Sequence, residues 1–577
     1  MVDDIATVWG GQVRLGRNPA NDEVLLGNSG GNFTLTNISA IIPISEEVVY
    51  ATVAAATAAT INAGVDAVKT LGYSTVGDPG AATYKRSASE PTHAGKFQSA
   101  DGAWWELTTL QPNPYMFGAA GNGSTNDTTA LQNLFDYADA KNTIAYLASG
   151  NYAVPSTSLT VNTNVQVVGC GRDAQIWRTN DVALPVFNLT SKTAVVLRNF
   201  AIIKTVQLTS TTSQAIATSG SKTFTVSANA STGLFPYTAG QFITIKAAAS
   251  AANYMVGTVT SYTGTSLVLS IVGGSGSGTF TSWYFTCYDN SNAAVIMSSC
   301  TQCVCDALYV SGTSFYVGLE TLNGTNDTLI NNVVNSVWNR GLYIYATSGT
   351  SRACKLLGNS ILGGSLTDYA INCNGSTAGY IYNAIIDGNS TYASVFDGIV
   401  VGGRMEQSVV SNNQIDNVVG VQGGVYVGIG ILIEEANTYQ ASYNTIVGNN
   451  IYSAYSAGII TLNSYANNVS ANSIKFCGTG IYCLQSGSTY TNSYHTFTGN
   501  NINGCTAAGI SVATGTAGYS YGNVFTGNTS TANSTYGFIA DANSDRLSVT
   551  GNVFYSNTTS NYSNSATNSQ AAGNVTA

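Results

Sequence analysis

Ile446-Val-Gly-Asn449 and Gly458-Ile-Ile-Thr461, followed by Val469-Ser-Ala-Asn472 and Gly480-Ile-Tyr-Cys483, decide how this chain folds. In each repeat an apolar residue stands three positions before an asparagine. A small residue then opens a short aliphatic run. Outward from this stretch the asparagine recurs as Asn332, Asn359, Asn389, Asn413, Asn449, Asn472, Asn500, Asn528, Asn552 and Asn574. The mean step is about 27 residues, a solenoid period. The apolar partners are Leu329, Leu356, Ile386, Val410, Ile446, Val469, Phe497, Phe525, Val549 and Ala571. The second column runs Gly341-Leu342, Ala370-Ile371, Gly398-Ile399, Gly430-Ile431, Gly458-Ile459, Gly480-Ile481, Gly509-Ile510 and Gly537-Phe538. Two short strands per coil, stacked coil on coil, bury both apolar columns, and asparagines at a buried bend pass amide hydrogen bonds along the stack. The pattern predicts a parallel β-helix.

Composition agrees. Charged residues make up 8% of the 577, against about a quarter in an ordinary domain. The 44% hydrophobic content, in register, argues against disorder. A net charge of −9 offers no footprint for nucleic acid or an anionic membrane, and no apolar run approaches a membrane span. Met1-Val-Asp-Asp-Ile5 has neither a basic nor an apolar leader region, so export by signal peptide is not expected. Cys373 and Cys483 fall where Ile344, Val401, Ile433 and Val512 stand in other coils, which makes them core filler. Cys300, Cys303 and Cys305 cluster, but with only His93 and His495 in the chain they do not make a zinc pattern. No metal, phosphate loop or cofactor signature is present.

Along the chain, residues 1–45 form an irregular β-rich segment. Residues 46–72, rich in Ala, Val and Thr, predict a helical connector, and 73–112 a small β-rich module around an Asp-Gly turn. Residues 113–206 hold a helix from about Asp127, with Leu131, Leu134, Phe135 and Ala138 on one face, and the first coils. Thr129 and Gln132 have capping-box spacing, with Asp127 as the alternative N-cap. Such a helix covers the open end of a β-helix. Between 207 and 287 polar and apolar residues alternate between Gly/Ser turns, as in Gln241-Phe-Ile-Thr-Ile-Lys246, predicting an inserted antiparallel β-domain. Coils then run from 288 to 577.

The stretch Gly118-Ala-Ala-Gly-Asn-Gly-Ser-Thr-Asn-Asp-Thr-Thr-Ala-Leu131 resembles the opening signature of the pectate-lyase-like β-helix superfamily. Gly80–Leu107 is similar to a module ahead of β-helices in phage tail proteins, and Asn253–Leu269 to a β-domain common in such proteins. In that order the three resemble a bacteriophage tailspike. The resemblance implies a right-handed parallel β-helix and a homotrimer. It implies attachment to other virion tail or baseplate proteins through the N-terminal region, with residues 1–45 as the attachment segment. It also implies a role in binding or depolymerising a host bacterial surface polysaccharide during adsorption. Assembly in the host cytoplasm then makes reduced thiols the default.

Glycan sites on a β-helix need an outer face bearing polar groups and aromatic platforms. Strand alternation turns Glu320, Tyr343, Tyr345, Asn372, Asn374, Glu434 and Tyr482 outward. The competing reading of each tyrosine is cross-strand or subunit packing. Glycoside hydrolysis needs two carboxyl groups within about 5–9.5 Å. Glu320 and Glu434 share a face but lie four coils apart, about 19 Å at the usual strand spacing. Glu406, one coil below Glu434 and Glu435 and beside Arg404, completes the first candidate group. Its alternative is a surface ion-pair ladder. Asp368 and Asp397, with Arg340 one coil below, make a second pair, whose alternative is turn capping. Two other functions remain open: a non-enzymatic adhesin or structural tail component, and a polysaccharide lyase. The scarcity of Lys and Arg in the coils disfavours the lyase.

Overall fold

The computed structural model describes residues 17–18, 23–27, 33–37 and 46–576, apart from 205, 364–366, 421–427, 436–438, 488–490 and 515–519. It comprises two units, Met1–Gly118 and Ala119–Ala577.

The second unit is a parallel β-helix of three long sheets. Sheet A has 14 strands, sheet B 15 and sheet C 12. Each coil runs from a sheet A strand through a tight bend to sheet B and on to sheet C. Lys355–Leu357, Ser360–Leu362 and Tyr369–Gly375 make one such coil. Every predicted asparagine sits at the bend between sheets A and B. From Asn332 to Asn574 each Nδ2 donates to the next Oδ1 at 2.9–3.0 Å. The second Nδ2 hydrogen goes to a carbonyl of the coil below, as Asn449 does to Val410 at 3.0 Å. Each Oδ1 also accepts a backbone N–H, as Asn472 does from Asn449. The amide thus fills its whole hydrogen-bonding capacity out of water. The residue before each asparagine turns left-handed, which is why Gly stands there so often, as at Gly448 (φ 68°).

Both apolar columns stack in the predicted register. Ile446 pairs with Val469 in sheet A, and Ile459 with Ile481 in sheet C. Phe497 and Phe525 stack with ring centroids 4.7 Å apart. Cys373 and Cys483 are fully buried, and Cys305 fills the sheet A column between Leu197 and Leu329. The expectation of two strands per coil is corrected to three. Sheet B strands such as Ser360–Leu362 carry one inward residue, here Ile361, too few for an alternation to be visible.

A second polar column lines the entry to sheet A: Ser408, Asn444, Asn467, His495 and Asn523. His495 replaces an amide there. Its Nδ1 accepts from the Asn467 N–H at 3.1 Å and its Nε2 faces Asn492 Oδ1 at 2.9 Å, which assigns the neutral, Nε2-protonated form.

The helix Thr128–Lys141 covers the first coil, with Leu131, Leu134, Phe135 and Ala138 buried. No capping box forms. Asp127 precedes the helix, but its carboxylate accepts from the Ala120, Gly121 and Ala153 N–H groups, pinning the helix entry to the first coil. Gln132 instead bonds the backbone of Thr160.

Between the sheet B strand Ala201–Ile203 and the sheet C strand Ala293–Ser298 lies a six-stranded antiparallel sheet, from Leu208–Ser210 to Trp283–Cys287. It has its own core, including Phe224, Ile243, Leu267, Trp283 and Phe285. Two buried ion pairs fasten its ends and middle. Lys204 Nζ contacts Asp181 at 2.7 Å and also Asn292, while Lys246 Nζ contacts Asp368 at 2.8 Å and the Trp338 carbonyl at 3.0 Å. Asn339 Nδ2 donates to the other Asp368 oxygen at 2.8 Å.

In the first unit the helical connector at 46–72 is corrected. Only Val53–Thr57 is helical, between the strands Glu46–Tyr50 and Val65–Thr70. The β-branched residues suit strands, and Val65 and Val68 are buried against Tyr84 and its neighbours in one five-stranded sheet. The boundary at 72/73 therefore cuts through a sheet. Of the segment 1–45, the described residues form three short antiparallel strands; the rest lies outside the described residues. No helix among the described residues is long and apolar enough to cross a membrane.

Three stability outcomes follow from these contacts. Asn449→Ala removes the one acceptor of two Asn413 donors, its backbone N–H and its Nδ2, and should destabilise the second unit by about 3 kcal/mol in denaturant unfolding. Burial lowers the His495 pKa to about 3. A depressed histidine stabilises fully above about pH 6.5, and that stability is lost as pH falls toward 3. His495→Asn should therefore flatten acid unfolding across that window. Lys246→Met leaves Asp368 unpaired and should cost about 3–5 kcal/mol, most of which Lys246→Met/Asp368→Asn recovers.

Candidate functional site

The outer face of sheet C carries most of the candidate residues. Register aligns Glu320, Tyr343, Asn372, Val400, Leu432 and Ile460 in one outward row. Leu322, Tyr345, Asn374, Gly402, Glu434 and Leu462 form the next. The face is polar and aromatic near the insert and aliphatic further along, where Val400, Leu432, Ile460 and Leu462 are buried together. Tyr343 and Tyr345 stack at 5.1 Å and 15°, and the Arg340 guanidinium lies 4.4 Å over Tyr343. Burial pushes the Glu320 carboxyl up to about 7 despite the nearby Arg340. Its Oε2, like Oδ1 of Asn372 and of Asn374, is buried without a hydrogen-bond partner.

The group expected from Arg404, Glu406, Glu434 and Glu435 divides. Glu434 ends its sheet C strand with Glu435 just beyond it, and burial with the adjacent Glu435 lifts Glu434 to about 7. Glu435 accepts from Asn463 Nδ2 at 3.1 Å. Arg404 and Glu406 lie beyond the left-handed turn at Gly403, where an extra three-stranded sheet forms the corner leading back to sheet A. Glu406 is in register with Tyr382 there. Arg404 is stacked between Tyr380, 4.3 Å away, and Tyr439, 3.3 Å away. Among the described residues no ion pair joins Arg404 to Glu406, Glu434 or Glu435. The corner sheet was invisible in the sequence because Met405–Glu406 is only two residues long.

Asp368 and Asp397 are not partners either. Asp397 is in register with Tyr369, accepts from the Ile429 N–H at 3.1 Å, and is driven well above the usual carboxylate range by burial, with the Glu434 charge adding to it. Asp368 is occupied by Lys246 and Asn339.

What the sequence did not reveal is a cleft of about 460 Å³ where the insert meets sheet C. Phe242, Tyr254 and Tyr288 line it from the insert side. Tyr316, Trp338, Tyr369 and Phe396 line it from the coils. Thr244, Lys246, Asn339, Arg340 and Asp368 supply its polar groups. Four atoms of this lining are buried without a hydrogen-bond partner: Thr244 Oγ1, Trp338 Nε1, Asn339 Oδ1 and Arg340 Nε. Such a cluster is costly unless something else satisfies it. Only Arg340 and Asp368 were singled out beforehand. Lys246 was the available signal, a lysine inside an apolar alternation of a chain poor in charge.

No known family model and no curated protein sequence matches this chain. Solved structures with a similar fold include the A-module of mannuronan C-5 epimerase AlgE6 from Azotobacter vinelandii. It is 15% identical, over 81% of this chain and 99% of that one, with a TM-score of 0.44. Tailspike protein 2 of the Escherichia coli O157:H7 bacteriophage CAB120 is 12% identical, over 95% and 58%, with a TM-score of 0.41. PfbA, a surface adhesin of Streptococcus pneumoniae, is 11% identical, over 78% and 91%, with a TM-score of 0.42. At these identities and TM-scores the similarity carries no role across to this chain, whose parallel β-helix is shown by its own strand pairing.

Proposed function

We propose that this chain is a tailspike-type receptor-binding protein that holds a bacterial surface polysaccharide against sheet C, in the cleft beside the insert. The observation that carries this reading is the pairing of aromatic walls with four unsatisfied polar atoms in one open cleft. Sugar rings present C–H patches that stack on aromatic faces and hydroxyls that satisfy buried donors and acceptors. The cleft volume falls in the range of small-ligand sites, about 300–1,000 Å³. Tyr345 and Asn374, both partly exposed, extend the same face, so a polymer lying along the rod meets them next, with Glu320 and Tyr343 buried beneath. Homotrimer formation and attachment to tail or baseplate proteins through the N-terminal unit belong to this reading, supported by the order of sequence modules.

Hydrolysis is a second reading, and Glu434 favours it. A carboxyl lifted to about 7 stays protonated near neutrality, as a general acid must, with the more exposed Glu435 as the second group.

Purified protein should bind host capsule or lipopolysaccharide, and Tyr369→Ala should weaken binding about tenfold with the fold intact by circular dichroism. Equal affinity of the variant removes the cleft from the site. If the bound glycan also yields new reducing ends, activity should fall as pH rises through about 7, and Glu434→Gln should abolish it. Full activity of that variant eliminates Glu434 as the acid.

A further inference from the structure

We propose that the cleft takes an acidic sugar residue, its carboxylate seated on Arg340 and its ring against the aromatic wall. This rests on the reading of the cleft as a glycan site and names the class of glycan.

The first argument is charge. Two cations line the cleft, Lys246 and Arg340. Lys246 is neutralised by Asp368 at 2.8 Å. Arg340 forms no ion pair among the described residues, and its hydrogen bond goes to the neutral Asn290 Oδ1 at 3.2 Å. Asp368 and Glu320 act on it at longer range. The former is already bonded to Lys246 and Asn339, while burial keeps the latter protonated up to about 7. A half-buried guanidinium without a counterion is expensive, and a carboxylate is the group that matches its fork.

The second argument is the balance of donors and acceptors. Arg340 Nε and Trp338 Nε1 can only donate, whereas Asn339 Oδ1 accepts and Thr244 Oγ1 can do either. Trp338, Thr244 and Asn339 are 0, 3 and 7% exposed, so bulk solvent does little for them. The cleft therefore calls for a ligand that offers acceptors to Arg340 and Trp338 and a hydroxyl to Asn339. Position is the third argument. Arg340 stacks 4.4 Å from Tyr343 and 5.9 Å from Tyr369, which fixes its plane before any ligand arrives.

The test uses the full chain and a panel of uronate polymers (polygalacturonate, alginate and hyaluronan), each beside its carboxyl-reduced counterpart, at one fixed ionic strength. At least one acidic polymer should bind, and its reduced form should bind at least about tenfold more weakly. Arg340→Gln should bind both forms of that polymer alike. Carboxyl reduction leaves the protein untouched, so the comparison stands even where the variant folds poorly. Equal binding of the two forms, or binding confined to the reduced polymers, overturns the acidic-sugar proposal while leaving the cleft a glycan site. Binding of no polymer in either form, host glycan included, overturns both.

Discussion

Parallel coils hold together only if the chain can turn sharply inside a dry core without stranding its polar groups, and the asparagine ladder is what permits it. Each rung joins two coils through side-chain and backbone bonds at once, so the bend between sheets A and B repeats with one geometry. Fixing that bend sets the register of sheet A before it and sheet B after it. The apolar columns then align and bury one another. Hydrophobic burial supplies most of the driving force, but the amides decide which of the many ways to stack apolar strands is adopted.

The same economy explains how far the sequence could be read. A rung must be an asparagine, three residues after an inward aliphatic, so the ladder and sheet A were legible as identity and spacing. Sheet C was legible because Gly341 and Gly398 press against a backbone carbonyl of the next coil, and the column admits nothing larger than the methyl of Ala370. Three-residue strands of sheet B such as Ser360–Leu362, with one inward residue, had no period to detect. The Val- and Thr-rich run at 46–72 was misread as helical because its strands are short and interrupted by Val53–Thr57. The site was the least legible part. Alternation correctly turned Glu320, Tyr343 and Glu434 outward, yet no local pattern links Lys246 to Asp368, 122 residues away.

The few charges of this chain are used with corresponding care. Lys204, Arg178 and Lys246 are all buried where the insert leaves or rests on the coils. Arg178 donates to the carbonyls of Val154, Thr157 and Pro185, and Lys204 and Lys246 reach acids contributed by the coil segments. Such pairs contribute little net stability against an apolar alternative, but they tolerate no sliding. They hold the insert in one placement, and that placement defines one wall of the cleft.

Successive rungs are separated by as few as 22 residues and as many as 36, yet every amide-to-amide distance stays at 2.9–3.0 Å. Length is thus free to vary between rungs while the interior is indifferent to it. Whole turns or their protruding connections can be exchanged, lengthened or deleted without retuning what lies beneath. A scaffold so partitioned lets its outer surface diversify quickly while its inner architecture stays the same.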